Sequence, residues 1–357
     1  MLIKNAPDLS HLKLYSPGFQ AIDWGFGYDQ CVNLDTALQQ PCSIAVLPVY
    51  YNRKTEFSYR HEYDTIPIER FDLVLFTDIE WRSQQELTGW IETTGVENWL
   101  LHVAGHWLDE SMHPRVIYNP VWKWVFLRWA RPCSDFPIDR PLSFDCFLGA
   151  RRAHRDFVML SMQKNNLLNQ GIVTYRDVFV GHWIDQTPPN VAQQFPGLSL
   201  QYPYVSDNLD PTWEVKAQVD NTVSQTVPWE IYNRTWFSVI CESLCSGRIF
   251  LAAEKVSKCL HARRLFVLFG IQHYLRYYQQ WGFETFGDVI DESYDNIEND
   301  IQRWAAAFEQ VKYLCNQDLK KLIPSLKPKL DHNHHRHVEL YQEKRQQMHQ
   351  LIADHLK

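Results

Sequence analysis

Apolar runs alternate with a helix-like segment along the first 135 residues. The runs CSIAVLPVYY (42–51), FDLVLFTDIEW (71–81) and NWLLHVAGH (98–106) are typical of strands, and SQQELTGWIETTG (83–95) is typical of a helix that a glycine ends. Strands that are apolar throughout occur mainly in parallel sheets with both faces covered. The pattern therefore predicts a Rossmann-like N-terminal domain over residues 1–135.

A proline-rich segment, ARPCSDFPIDRPLS (130–143), interrupts this alternation of strands and helices and indicates a connection between domains. The alternation resumes with the strand candidates FDCFLGA (144–150), GIVTYRD (171–177) and WFSVICES (236–243) and the helix candidate HRDFVMLSMQKNNLLNQ (154–170). Residues 251–270 are typical of a helix followed by a strand, and residues 271–283 of a helix. We expect a second Rossmann-like domain over residues 136–320 and an α/β fold class.

The C-terminal tail has a different pattern. From Asn296 onward it is helical, and residues 321–357 are expected to form a linker and a terminal helix over 337–357. The run DHNHHRH (331–337) holds four histidines in seven residues. Neutral imidazole is a common metal ligand, so these side chains are candidates for a metal site. The simpler interpretation is a polar linker before the last helix.

Composition and charge narrow the function classes. The chain has 357 residues, 45% hydrophobic and 22% charged, and a net charge of −7, which argues against a protein that mainly wraps polyanions. Its eight cysteines are scattered, which is typical of free thiols in a reducing compartment. No run approaches the roughly 18 uninterrupted apolar residues that a spanning helix needs. We expect a cytoplasmic protein without a membrane span.

The segment LAAEKVSKCLHARRLFVLFG (251–270) places Glu254 and Lys255 where a helix begins after a strand. At 3.6 residues per turn, Glu254 and Lys258 lie opposite the apolar face and Lys255 lies on the flank. One interpretation is an exposed ion pair between Glu254 and Lys258. The alternative is an anion site, because unpaired N–H groups and the helix dipole favour negative charge at this position.

A second cationic turn follows the strand that ends in LGA. The segment FLGARRAHRDF (147–157) places Arg151, Arg152, His154 and Arg155 at the start of a helix. Cations are disfavoured at that end of the helix dipole, and a buried guanidinium needs a partner. An arginine fork holds a diphosphate through two parallel hydrogen bonds. The two turns together predict a site for a nucleotide diphosphate.

Three segments carry a resemblance to a known family. WFSVICES followed by IFLAAEKVSKCLHARRLFVLFG resembles the donor-binding region of GT-B-type glycosyltransferases, in particular the fucosyltransferase-like pattern of a strand followed by a Thr-Glu-Lys helix start. Ala253 stands where that pattern favours threonine. GARRAHRDF is similar to the arginine-bearing turn of such enzymes, and GFETFGDVIDESYD (282–295) resembles uncharacterised phage or bacterial glycosyltransferase-like proteins. The resemblance covers about residues 145–315.

The resemblance implies two Rossmann-like domains that face a cleft, as in the GT-B fold. It assigns Glu254 to the ribose of a GDP- or UDP-sugar donor and Lys255 to its phosphates. Among the arginines, Arg152 is favoured for the diphosphate and Arg155 is a further candidate. Glu242, at the end of the preceding strand, is another donor-side candidate, or it caps a turn. No further cofactor and no metal ion are expected.

Sugar transfer also needs a base that deprotonates the hydroxyl of the acceptor. We expect this base on the N-terminal domain, where FTDIEW and HVAGHW follow apolar strands. Asp78 is the first candidate and His106 the second, with Glu80 and His102 beside them. Asp78 is also a candidate helix N-cap before RSQQEL.

Three other functions remain as alternatives. Asp78 and Glu80 in TDIE resemble the metal-holding carboxylates of GT-A glycosyltransferases. Abundant aromatic residues, 14 Trp and 17 Tyr, are consistent with a sugar- or nucleotide-binding protein without turnover. A DNA-modifying transferase would need a basic acceptor surface, for which the tail offers these residues: Lys320, Lys321, Lys327, Lys329, Arg336, Lys344 and Arg345.

Overall fold

A computed structural model describes residues 7–16, 28–52, 56–58, 66–78, 83–103, 106–107, 111, 113–118, 139–176, 189–200, 202–209 and 227–356. The chain divides into two compact units. The first comprises Met1–Phe126, Arg248–Ala252 and Val338–Lys357, and the second comprises Leu127–Gly247 and Ala253–His337. The domain boundary predicted at residues 135 and 136 lies outside the described residues.

The strands of five or more residues overlap the apolar runs of the sequence, whereas most of the shorter strands were not predicted. Up to residue 118 they are β1 (Leu14–Tyr15), β2 (Cys31–Val32), β3 (Ile44–Pro48), β4 (Tyr50–Asn52), β5 (Glu56–Ser58), β6 (Leu73–Asp78), β7 (Trp99–Val103), β8 (His106–Trp107) and β9 (Val116–Tyr118). The later strands are β10 (Leu142–Leu148), β11 (Gly171–Tyr175), β12 (Tyr204–Val205), β13 (Thr235–Cys241), β14 (Ile249–Phe250) and β15 (Leu265–Phe269).

Helices lie between these strands and fill the C-terminal part. They are α1 (Leu34–Leu38), α2 (Gln84–Thr93), α3 (Ala153–Lys164), α4 (Pro189–Ala192), α5 (Trp229–Tyr232), α6 (Glu254–His261), α7 (Tyr274–Gln280), α8 (Asp300–Cys315), α9 (Leu319–Ser325) and α10 (Lys327–His355). Short 3-10 helices occur at Tyr28–Gln30, Ile68–Arg70, Leu168–Gln170 and Glu292–Asn296. The α/β class is confirmed.

The first unit contains a six-stranded sheet in the order β2-β1-β3-β6-β7-β9, with every neighbouring pair parallel. Its central strands are apolar on both faces. Along β3, for example, Ala45 and Leu47 pack into one hydrophobic cluster while Ile44 and Val46 pack into another. Burial on both faces explains why these strands are continuous apolar runs rather than alternating ones.

Helix α2 confirms the helix predicted over residues 83–95, with one correction at its start. The side chain of Ser83 accepts a hydrogen bond from the backbone N–H of Glu86 at 3.4 Å, so Ser83 is the N-cap. Asp78 was the candidate for this role, and it is instead the last residue of β6. Gly95, with φ of 75°, follows the helix in the left-handed conformation that glycine adopts readily.

The second unit contains a mixed five-stranded sheet in the order β12-β11-β10-β13-β15. Strands β11, β10, β13 and β15 are parallel, and β12 joins the edge antiparallel to β11. Strand β10 comes first along the chain and has β11 on one side and β13 on the other. After β11 and β12 the chain crosses back past β10 to form β13, which makes the space between the ends of β10 and β13 a topological switch point.

A buried ion pair ties the amino-terminal half of this sheet together. Arg264, just before β15, donates to Asp145 Oδ1 at 2.6 Å, and the hydroxyls of Thr235 and Ser238 donate to the same oxygen at 2.9 and 3.0 Å. The guanidinium also lies 4.1 Å from the ring centroid of Tyr232. These bonds satisfy a charge that burial would otherwise destabilise.

The C-terminal tail differs from the sequence prediction. Residues 331–337 lie inside α10, whereas we expected a polar linker there. The run alternates between buried and exposed positions: Asn333 and His337 are buried, and His332 and His335 are exposed. The helix therefore begins ten residues earlier than predicted, because its histidines and asparagine pack as part of an amphipathic face rather than forming a solvated connection.

Candidate anion-binding site

The turn that carries Arg152 follows β10 of the five-stranded sheet, whereas Glu254 and Lys255 follow β14, which pairs with β8 in a separate two-stranded sheet. Residues Gly149 to Arg152 connect β10 to α3, and Glu242 is the first residue after β13. Because β10 and β13 are parallel, both segments lie at the carboxyl edge of the sheet, on either side of the switch point. Ligands of open α/β sheets bind at this position.

Arg151 has a structural partner at this edge. Its Nη2 donates to Asp156 Oδ2 at 2.8 Å, and the Tyr175 hydroxyl donates to Asp156 Oδ1 at 2.5 Å. The guanidinium also lies 5.4 Å from the ring centroid of Tyr202. Asp156 and Tyr175 are fully buried. Arg151 therefore neutralises a buried carboxylate, which is a structural role rather than a ligand-binding one.

Arg155 holds the turn before α3. Its side chain is 4% exposed, and Nη1 donates to the carbonyl oxygen of Ala150 at 2.7 Å. A Cβ atom at Gly149 would lie 3.3 Å from the same nitrogen, so glycine leaves the room that this bond needs. Arg155 adds positive charge to the site, and its hydrogen bond to the backbone of Ala150 fixes the position of its guanidinium.

Arg152 lies in a partly buried setting beside Arg155. It precedes α3 with extended backbone, φ −153° and ψ 154°. Burial, followed by repulsion from Arg155, lowers its pKa to about 9, although Cys245 and Glu242 act in the opposite direction. The guanidinium still carries its charge at neutral pH. A bound anion would offset the cost of that charge.

His154 and Glu242 connect the two turns. The His154 Nε2 atom donates to the backbone carbonyl oxygen of Glu242 at 3.0 Å, which requires the Nε2–H tautomer. Burial, and repulsion from Arg155 and Arg152, lower the pKa of His154 well below its usual value, so the ring is neutral at pH 7. Glu242 is fully buried, and its Oε2 accepts a hydrogen bond from the N–H of Ser243 at 3.1 Å.

Glu254 and Lys255 begin helix α6 beside this connection. The Lys255 Nζ atom lies 3.5 Å from Glu254 Oε1 and 3.5 Å from the Ser243 hydroxyl. Lys255 therefore reaches back to the residue after Glu242. The structure thus brings Arg152, Arg155, Glu242, Glu254 and Lys255 to one edge of one sheet.

Both helices start without a capping side chain of the usual kind. Arg152 precedes α3 and Ala253 precedes α6, and neither side chain has an acceptor for the first N–H groups of the helix. These helices have 12 and 8 residues, so their N-termini attract negative charge. An anion between the turns would meet two helix N-termini and the side chains of Arg152 and Lys255.

Lys258 corrects the prediction from the helical wheel. We placed it on the exposed face of α6 as a partner of Glu254, but it is only 8% exposed. Burial lowers the pKa of Lys258 to about 8, and Glu254 partly offsets this effect. The helix is buried on more sides than a single apolar stripe indicates, so an exposed Glu254–Lys258 pair is the wrong description.

Arg303 is a residue of this region that the sequence analysis missed. It lies on α8, where Nε donates to the carbonyl oxygen of Gly270 at 3.1 Å and Nη2 to that of Cys245 at 2.9 Å. It therefore holds the chain segments that follow β13 and β15. The available signal was its place on the apolar face of an amphipathic helix, where a buried arginine must have partners.

The predicted base candidates are placed only in part. Asp78 ends β6 opposite Val103, and His106 pairs with Phe250 across β8 and β14, but their side chains lie outside the described residues. Glu80 also lies outside them. His102 is fully buried within β7. The choice between Asp78 and His106 as the base stays a prediction.

Several lysines of the tail have acidic neighbours. Lys320 lies 3.5 Å from Asp139, Lys321 lies 3.0 Å from Asp318, and Lys327 pairs with Asp331. Lys329 likewise pairs with a carboxylate, that of Asp288. These pairs reduce the positive potential that a DNA-binding surface would need.

Within the described parts of the chain, no group of three or more His, Cys, Asp or Glu side chains is arranged to hold a metal ion. Among the described helices, none combines the length and apolar character needed to cross a bilayer.

Comparisons with known proteins do not identify the chain. No protein-family model matches it, and no curated protein is similar to it in sequence.

Proposed function

We propose that the chain is a glycosyltransferase that binds a nucleotide-diphosphate sugar, GDP- or UDP-linked, at the carboxyl edge of the five-stranded sheet. The observation that carries this proposal is the crowding of Arg152, Arg155 and Lys255 around the switch point between β10 and β13. Like charges repel, and they are retained at a site when a ligand of opposite charge binds there.

The number and spacing of the cations favour a diphosphate over a single carboxylate. Arg152 and Lys255 approach from different helices, α3 and α6, and both lie next to the Glu242–Ser243 segment. Two helix N-termini add N–H donors on either side. A diphosphate has enough oxygens to engage both turns at once, and an arginine binds it through paired hydrogen bonds.

Glu242 and Glu254 supply the acceptors that a nucleotide sugar also needs. Both carboxylates lie within the same cluster, Glu242 buried and Glu254 partly buried. Hydroxyl groups of a ribose or a sugar donate to carboxylates, whereas an anion alone would be repelled by them. The mixture of cations and carboxylates therefore fits a ligand with a diphosphate and hydroxyls better than inorganic phosphate.

In the proposed reaction the bond between the anomeric carbon and the diphosphate oxygen breaks, and the electron pair stays on the leaving diphosphate. Arg152 and Lys255 stabilise this developing charge because they are already oriented by the fold. The hydroxyl oxygen of the acceptor forms the new bond to the anomeric carbon, and its proton passes to a base.

The experiment is a thermal-stability screen of the full chain with UDP-, GDP- and CMP-sugars. A donor present at 100 times its Kd should stabilise the protein by about 2.7 kcal/mol. Lys255→Ala should weaken binding about 10- to 100-fold, since it removes one charged hydrogen bond. Lys312→Ala is the matched control, because Lys312 pairs with Glu309 on α8 and takes no part in the site.

Turnover distinguishes a transferase from a protein that only binds nucleotides. With the best donor, the transferase should release the nucleoside diphosphate slowly into water and faster when a hydroxyl acceptor is supplied. Stabilisation by a nucleotide sugar without release of the nucleoside diphosphate would show that the chain binds nucleotides without turnover. If none of the nucleotide sugars stabilises the chain, the proposed donor site is wrong.

A further inference from the structure

Three imidazole rings meet where the C-terminal end of α6 contacts α10. His261 is the last residue of α6, and His334 and His337 lie one turn apart on α10. The ring centroid of His261 is 5.3 Å from that of His334 and 6.2 Å from that of His337. His337 is 4% exposed, and the other two are partly buried. We refer to His261, His334 and His337 as the histidine cluster.

A hydrogen bond fixes the cluster to the end of α6. The Nδ1 atom of His334 donates to the backbone carbonyl oxygen of His261 at 2.8 Å. The last carbonyl groups of a helix lack partners within the helix, so this bond satisfies one of them. The contact between α6 and α10 therefore depends directly on an imidazole side chain.

The charged groups around the cluster are mainly cationic. Arg263, two residues after His261, pairs with Asp331 of α10 at 2.7 Å, and Lys327 contacts the same carboxylate. One carboxylate thus faces two cations. Lys258, buried on α6 one turn before His261, is a further cation.

The remaining neighbours do not offset this charge. On α10, His335 lies beside the cluster with its ring centroid 5.8 Å from that of His334, and Arg336 donates to the carbonyl oxygen of Trp281. On α5, the Trp229 ring lies 6.4 Å from His261, and the adjacent Glu230 is exposed. An added proton on the histidine cluster would therefore enter a positive environment.

Burial and this environment keep the cluster neutral. Burial, then His334 and Arg263, lower the pKa of His261 to about 4, and burial, then His261 and His334, lower the pKa of His337 to about 3. Burial and Arg263 also lower the pKa of His334. In the unfolded chain histidine has a pKa near 6.5. The unfolded chain therefore binds more protons than the folded chain below about pH 6.5, and the folded state loses stability as pH falls from there towards 4.

We propose that the histidine cluster is an acid-sensitive latch that holds α6 against α10 at neutral pH and releases it in acid. Protonation places two or three positive charges within one buried contact that already faces Arg263. The latch does not depend on the proposed function. It is nevertheless connected to the candidate site, because α6 carries Glu254 and Lys255 at its other end.

The test compares two single substitutions on the same helix, His337→Gln and His332→Gln. The free energy of unfolding of the full chain is measured with urea at intervals between pH 7.5 and pH 4.5. Towards the acid end of that range, His337→Gln should reduce the number of protons taken up on unfolding by about one. His332 is exposed and is not part of the histidine cluster, so His332→Gln should leave the proton uptake as it is in the unsubstituted chain. Equal proton uptake in all three proteins would overturn the proposal.

A measurement on the unsubstituted chain covers the case in which His337→Gln does not fold. Amide hydrogen exchange, corrected for its intrinsic pH dependence, should be faster in residues 258–264 and 330–340 at pH 5 than at pH 7.5. Unchanged protection of both segments would contradict the latch. The exchange is repeated with EDTA, and a pH effect that disappears with the chelator would show that a metal ion, rather than proton binding, controls the contact.

Discussion

Three arginines follow strand β10, and their partners give each a different role. Arg151 neutralises the buried Asp156, and Arg155 binds the carbonyl oxygen of Ala150. Arg152 carries a charge that burial and Arg155 destabilise. An arginine in such a position is expected to lower the stability of the ligand-free chain and to strengthen the binding of an anionic ligand. Functional residues commonly have this effect.

This difference predicts opposite effects for two matched substitutions. Arg152→Met should raise the melting temperature of the ligand-free chain, since it removes a destabilised charge, and should abolish stabilisation by nucleotide sugars. Arg151→Met should lower the free energy of unfolding by about 3 kcal/mol, because Asp156 is left buried without its cation. Thermal and urea unfolding measure both. A lower melting temperature for Arg152→Met would contradict the assignment of its charge as a binding feature.

The sequence predicted the cationic turn but not these separate roles. The favoured choice of Arg152 came from a resemblance, and nothing in the letters ARRAHRD distinguishes the three arginines. Their roles depend on where Asp156 and Tyr175 lie, and Tyr175 comes from another strand. The burial of Lys258 was not predicted for a similar reason. A helical wheel does not show which other elements pack against the polar side of a helix.

At the scale of elements, strands β10 and β11 approach each other so closely that residue 171 has no room for a side chain. Gly171 lies opposite Phe144 in the parallel register, and a Cβ atom there would lie 2.7 Å from the Phe144 carbonyl oxygen and 2.6 Å from its ring. Gly89 in α2 has nothing within 4 Å of the same added atom. The same substitution should therefore act differently in the two elements.

Gly171→Ala should destabilise the chain by about 1–3 kcal/mol, because the strands must separate to admit the methyl group. Gly89→Ala should stabilise it by up to about 1 kcal/mol, because alanine restricts the unfolded chain and suits a helix interior. Urea unfolding of the two variants gives both values. Comparable destabilisation by both substitutions would show that the close approach at Gly171 does not control the pairing of β10 with β11.

Elements with strong apolar patterns were predictable, and polar elements were not. Strands β6 and β7 lie within the predicted runs, and β10 and β13 overlap theirs, because apolar side chains are buried along each of these strands. Residues 331–337 were predicted as a linker because DHNHHRH has no apolar residue. Inside α10 its buried positions are satisfied by hydrogen bonds from distant segments, such as that between Asn333 and Glu284 at 2.8 Å. Such partners are set by the tertiary fold.

At the scale of the whole molecule, the α/β class followed from the sequence, while the details of each sheet needed the structure. The first sheet is fully parallel, and the second has the antiparallel edge strand β12, which is only two residues long and carries no recognisable pattern. The candidate site and all of its hydrogen-bond partners named above belong to the second unit. A ligand there should protect segments of that unit.

We propose that a nucleotide diphosphate binds between the ends of β10 and β13. Hydrogen–deuterium exchange of the full chain, with and without saturating GDP or UDP, tests both the binding and its place. We predict slower exchange in residues 149–157 and 242–256, the two turns that carry Arg152 and Lys255. Unchanged exchange in both segments with either nucleotide, or protection confined to other parts of the chain, would contradict the claim.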